Sequence, residues 1–177
     1  MKYRILALIG STMLAVTLSL AQDTKHILID GELEDGFDLG LNTNKGRTDW
    51  LKKGEKVLRL AYPAEQRSGY VFITVGPPTD TPRPFIDLSQ FGFLVVEMRG
   101  DAGGERVQVG IKTNTQPDNG GETKLPETLT VEWKTYRYAL GRFLRADPSK
   151  LYVVAEFVFS GSESNTVYVR SIRYTKQ

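Results

Sequence analysis

From residue 27 onward, apolar and polar side chains alternate in short runs, and each run is stopped by Gly, Pro, Asn or Asp. Val57 to Tyr62 ends at Pro63, Tyr70 to Val75 at Gly76-Pro77-Pro78, and Phe91 to Arg99 at the Gly100–Gly104 loop. Arg106 to Thr113, Leu129 to Leu140, Leu151 to Phe159 and Thr166 to Tyr174 continue the series. β-Branched and aromatic residues fill these runs, as pleated, half-buried strands require. No stretch keeps a helical period for three turns, and Leu140 to Ala146 has room for a single turn only. The pattern predicts an all-β chain: a jelly-roll β-sandwich of eight or nine strands with negligible helix.

Because successive side chains on a strand point to opposite faces, the alternation also assigns the core. Leu94, Val96 and Met98 share one face, with Glu97 and Arg99 opposite. Val107, Val109 and Ile111 point inward while Arg106, Gln108 and Lys112 point out. In the run from Leu151, the inward set is Val153, Ala155, Phe157 and Phe159, opposed by Tyr152, Val154, Glu156 and Val158. Val167 and Val169 agree in parity but Ile172 does not, which predicts a bulge near Arg170-Ser171.

Residues 1–21 read as a secretory signal peptide. Lys2 and Arg4 are the basic start, Ile5 to Leu20 the apolar stretch, and Ser19-Leu20-Ala21 the small-residue cleavage site. The stretch is shorter than the ~20 residues that span a bilayer, and no Cys follows it to carry a lipid. Residues 22–177 then form one domain, secreted or periplasmic and bacterial, with no membrane span after cleavage. The whole chain has 23 Lys+Arg against 21 Asp+Glu, a formal net charge of +2. Two of the bases belong to the leader, so the domain is electrically balanced, which argues against a nucleic-acid partner. Without Cys and with one His, thiolate chemistry and multi-histidine metal centres are excluded.

Several segments occur in a telling order. Asp30-Gly31-Glu32-Leu33-Glu34-Asp35-Gly36-Phe37 opens the domain, and Trp50 precedes Val57-Leu58-Arg59-Leu60. Asp87-Leu88-Ser89-Gln90-Phe91 leads into the strand that ends at Arg99-Gly100. Trp133-Lys134-Thr135-Tyr136-Arg137-Tyr138-Ala139-Leu140 is followed by Phe143, and Thr166-Val167-Tyr168-Val169-Arg170-Ser171-Ile172 closes the chain. This order resembles the galactose-binding-like jelly-roll carbohydrate-binding modules, the family-11 type and its relatives. The resemblance implies a non-catalytic domain that binds polysaccharide or glycan, with Trp133 packed into the core. Modules of this kind usually close on Val-Tyr-Val-Asp-Asp-Ile, whose acidic pair helps to hold a structural Ca²⁺. Arg170 and Ser171 stand at those positions here, which argues against calcium and leaves no cofactor expected; Arg170 could instead pair with Glu32, Glu34 or Asp35.

The candidate ligand-binding residues are the polar side chains that interrupt the apolar alternation. Glu97, Arg99, Gln108, Lys112, Arg137 and Glu156 would form the floor of one concave sheet, with Trp50 or Tyr70 as a stacking plane at its rim. An envelope protein docking on the same face is the alternative partner. A small glycoside hydrolase ranks last. Glu97 and Glu156 each have a basic neighbour (Arg99, Lys112), whereas a general acid is made by an apolar pocket.

Overall fold

The computed structural model describes residues 23–43, 51–54, 56–115 and 120–177. The expected leader and Trp50 lie outside them. The described residues form twelve strands: β1 (Thr24–Ile29), β2 (Glu32–Leu33), β3 (Phe37–Thr43), β4 (Leu51–Gly54), β5 (Val57–Tyr62), β6 (Ser68–Val75), β7 (Phe93–Gly100), β8 (Arg106–Thr113), β9 (Leu125–Thr128), β10 (Lys134–Ala139), β11 (Leu151–Ser160) and β12 (Asn165–Thr175). Eight or nine were expected. The surplus, β2, β3, β4 and β9, consists of edge strands. β2, β4 and β9 are four residues or fewer, as befits edges where a long apolar strand would invite pairing with other chains, and carry little alternation to read. The seven-residue β3 does alternate, with Phe37, Leu39 and Leu41 packed against the core. The single turn expected after Leu140 is a 3₁₀ turn at Leu140–Arg142, and a second lies at Pro148–Lys150.

The strands pair antiparallel in two sheets. The seven-stranded sheet runs β10-β7-β12-β1-β2, with β5 also on β12 and β4 on β5; the five-stranded sheet runs β3-β6-β11-β8-β9. The eleven-residue β12 is the hinge of the first sheet. One of its edges pairs with β7, while the other takes β5 along its first half and β1 along its second. From β5 onward the chain passes between the sheets at almost every connection, the winding of a jelly roll.

The core lies between the sheets. Leu94, Val96 and Met98 of β7 join Val107, Val109 and Ile111 of β8, as the alternation predicts, and Val71 and Ile73 of β6 complete the layer. Each such side chain contributes about 1.5–3 kcal/mol by leaving water. Tyr62 stacks on Phe159 with ring centroids 5.4 Å apart. The buried Tyr174 of β12 donates its hydroxyl to the Val154 carbonyl of β11 at 2.7 Å, a hydrogen bond between the sheets. Burial pushes its phenol pKa far above the ordinary tyrosine value.

Register shifts in β11 and β12 set which residues face the core. The expected one in β12 lies between Val169 and Ser171. A second, between Val153 and Ala155 of β11, corrects the sequence reading. Val154 joins the core with Leu151, Ala155, Phe157 and Phe159, whereas Val153 faces outward with Tyr152, Glu156 and Val158. The register shifts on both sides of Val153 exchange the faces of Val153 and Val154 alone, while Leu151 stays inward and Tyr152 outward. Nothing in an all-apolar run marks where that happens.

Candidate functional site

The outer face of the five-stranded sheet carries an open groove of about 640 Å³. Its floor is the central strand β11, through Tyr152, Val153, Glu156 and Val158. Tyr70 and Phe72 from β6 and Asn42 from β3 line one side; Gln108 and Lys112 from β8 line the other, with Lys124 just before β9 and Arg83 from the 77–84 loop. Each strand residue reaches the groove because it alternates with a core residue, Tyr70 and Phe72 with Val71 and Ile73, and Gln108 with Val107 and Val109.

Glu156 is buried to 2 % exposure and held between two ammonium groups, with Lys112 Nζ at 3.5 Å and Lys124 Nζ at 3.4 Å. A carboxylate so deeply placed requires such partners. Gly110 of β8 lies beneath them, where a Cβ would come within 3.1 Å of both the Glu156 carboxylate and the Lys124 stem. On the opposite side, Gly40 of β3 lies under the Phe72 ring, which occupies the space a side chain would fill. Both glycines let long side chains lie flat on the sheet. At one end Tyr152 donates its hydroxyl to the Pro78 carbonyl at 3.0 Å, and the Arg83 guanidinium stands 5.0 Å over its ring. Desolvation raises the Tyr152 phenol pKa, so its proton stays in place for that bond.

Four of the predicted site residues, Tyr70, Gln108, Lys112 and Glu156, are therefore together. Glu97, Arg99 and Arg137 are not on that floor: they lie on β7 and β10, on the outer face of the other sheet. Alternation identifies an outward residue but not which of the two outer faces it occupies. There Glu97 pairs with Arg170 at 2.8 Å, which replaces both Arg99 as its partner and the expected pairing of Arg170 with the N-terminal acids. Trp133 is also not a core residue. It is half-buried, with the Arg170 guanidinium 4.0 Å and that of Arg99 5.4 Å from its ring.

Asn42, Phe72, Arg83 and Lys124 escaped the sequence reading. Phe72 was legible, being two residues from Tyr70 on one strand. Arg83 and Lys124 enter from connecting segments, where no period points the way. Among the described residues no group of three or more His, Asp and Glu is placed to hold a metal ion. Glu156 is the sole carboxylate among the described lining residues. The groove thus offers aromatic surface and hydrogen-bonding groups, but not the pair of carboxylates that glycoside hydrolysis uses.

Residues 26–176 match carbohydrate binding domain 30. The chain belongs to that family. The family 30 domain is a non-catalytic carbohydrate-binding module, the class the sequence resembles, although the matched family is 30 and not the family-11 type. No curated protein matches the sequence. Among solved structures, a family 30 carbohydrate-binding module is 20% identical, with a TM-score of 0.60 over 87% of this chain and 99% of that one. The family 30 module of a cellulosomal cellulase of Clostridium thermocellum is 20% identical at a TM-score of 0.59, over 87% and 98% of the two chains. A variant of the family 29 module CBM29-2, solved with mannohexaose, is 13% identical at 0.58, over 86% and 91%. These likenesses establish the shared β-sandwich. Among the described residues no helix is long and apolar enough to cross a membrane.

Proposed function

We propose that the groove over β11 is the glycan site of this family 30 domain, and that the domain works outside the cytoplasm, secreted or periplasmic, by holding a polysaccharide without altering it. The observation that carries this reading is the placing of Tyr70 and Phe72 beside Asn42, Gln108 and Lys112 along one open channel. A pyranose ring is amphipathic, with an apolar C–H face that lies on aromatic surface and an equatorial rim of hydroxyls that exchange hydrogen bonds with amides and ammonium groups. An open channel admits the middle of a chain as well as its end. The solved CBM29-2 variants with mannohexaose and cellulohexaose are similar in fold, which supports a linear oligosaccharide as the first ligand to try.

Titration calorimetry with mannohexaose and cellulohexaose tests the proposal. Phe72→Ala and Gln108→Ala should each weaken binding by about 1–3 kcal/mol, roughly 5- to 150-fold, with the melting temperature nearly unchanged. Arg137→Ala, on the opposite sheet, should leave hexaose affinity as it was. Unaltered affinity in both groove variants would exclude the groove as the site. If neither a hexaose nor an immobilised polysaccharide is retained, the envelope-protein partner becomes the better reading.

A further inference from the structure

The second outer face, that of the seven-stranded sheet, has a composition of its own. Its strands β5, β7, β10 and β12 contribute five outward arginines, Arg59, Arg99, Arg137, Arg170 and Arg173, and those strands contain one acid, Glu97. The registers bring the arginines together. Tyr168 of β12 is opposite Arg59 on one side and Arg99 on the other. Val95 of β7 is flanked in the same way by Arg173 and Arg137. Arg59 and Arg99 are thus two strand spacings apart, roughly 10 Å. Asp101, just beyond β7, adds a second carboxylate to this face by accepting from the Tyr168 hydroxyl at 2.8 Å, so five arginines there stand against two acids in a chain whose whole formal charge is +2.

Four of the five guanidinium groups are also held in place. Arg99 lies 4.1 Å over the Tyr168 ring, Arg170 4.0 Å over Trp133, and Arg137 4.0 Å over Phe93. Arg170 donates to Glu97, and Arg173 donates to the Ser171 hydroxyl at 3.3 Å. Val95, although outward, is only 2 % exposed between Arg173 and Arg137, as happens when long side chains lie down on a sheet. Stacking uses the flat face of a guanidinium, so the in-plane N–H groups that remain after Arg99 Nη1 donates to the Gly100 carbonyl and Arg170 Nη1 to Glu97, both at 2.8 Å, can meet planar acceptors. Ordering those side chains is then a cost of folding and not of binding.

We propose that this face is a second glycan-binding surface, and that its ligand is an acidic polysaccharide whose residues carry carboxylates. It needs no ligand in the groove, so either assignment can fail alone. Carboxylates match the fork of N–H donors, and the hydroxyls of the sugar rings between them can accept from the remaining N–H groups. A bilayer fits less well. The exposed large apolar residues described are Ile29, Phe85, Val131 and Leu144, none among the outward residues of these four strands, so no apolar anchor is present for insertion. A nucleic-acid single strand needs open aromatic faces for its bases, and here guanidinium groups cover them.

Affinity electrophoresis of the full domain in polygalacturonate, and in the same polymer fully methyl-esterified, tests the proposal. The acidic polymer should retard the protein, less as ionic strength rises, and the uncharged ester should not. The triple variant Arg59→Gln/Arg137→Gln/Arg173→Gln spares the Arg170–Glu97 pair and should bind polygalacturonate about tenfold or more weakly. Phe72→Ala should bind it as the native protein does. Should the triple variant fold poorly, Arg59→Gln and Arg137→Gln singly should each give part of the loss. Equal retardation by acid and ester, none by the acid, or no change in the arginine variants would overturn the proposal. So would equal or tighter binding of phosphatidylglycerol vesicles or of single-stranded DNA, lost in the same variants.

Discussion

Replacing Glu156 by Gln keeps the shape of the groove floor and removes its one described carboxylate. At an effective dielectric of ~20, a charge pair 3.5 Å apart gains about 5 kcal/mol, so Lys112 and Lys124 together supply roughly 9–10 kcal/mol of attraction. The two lysines meet different oxygens of the carboxylate, so their ammonium groups can be as far as ~9 Å apart, which returns about 1.8 kcal/mol or more as repulsion. Desolvating the carboxylate takes back several kcal/mol more. The native trio is thus close to balanced. The variant is not: it leaves two ammonium groups, each 16% exposed, facing a neutral amide. Losing one partner of a buried pair costs ~3–5 kcal/mol, and the freedom of both lysines to swing toward water reduces this to about 2–3 kcal/mol. For a chain of 177 residues that corresponds to a drop in Tm of roughly 5–10 °C, at ~2–4 °C per kcal/mol. Differential scanning calorimetry reads it directly. Glu156→Gln/Lys124→Met should recover part of the loss by removing the repulsion. A Tm within a degree of native for the single variant would refute the reasoning and assign the carboxylate to ligand contact alone.

Gly40→Ala should leave the fold intact but push the Phe72 ring off the sheet into the groove, and hexaose affinity measured by calorimetry should fall; unchanged affinity would mean that the ring takes no part. Tyr174→Phe removes the buried hydrogen bond to Val154 and should cost about 1 kcal/mol in urea unfolding, with the slope m unchanged. Asp147 accepts from both the Ser149 amide and its hydroxyl at 3.0 and 2.7 Å, and these bonds hold its carboxyl below the ordinary value of 3.8. A depressed native pKa gives stability that is present above the unfolded value and lost as the pH falls through the native one. Asp147→Ala should therefore lower Tm by a constant amount between about pH 7 and 5, and the gap should close only below ~4.

The period-2 alternation determined the fold class, the inward faces of β7 and β8, and the bulge at Arg170-Ser171, because each follows from neighbours a few residues apart. It placed Tyr70, Gln108, Lys112 and Glu156 correctly as outward residues of strands. Tertiary structure decided which outward residues meet. Glu97 and Glu156 are alike in sequence context, yet β7 pairs with β10 and β12 while β11 pairs with β6 and β8, so the two acids lie on opposite faces of the sandwich. That choice is made by hydrogen bonds between segments as far apart as Arg99 and Tyr168, and a local pattern holds no record of it. The same holds for the β11 bulge, where every candidate residue is apolar and only pairing with β6 and β8 selects Val154 for the core. Arg83 and Lys124 joined the groove, and five arginines gathered on the other face, because strand order put them side by side.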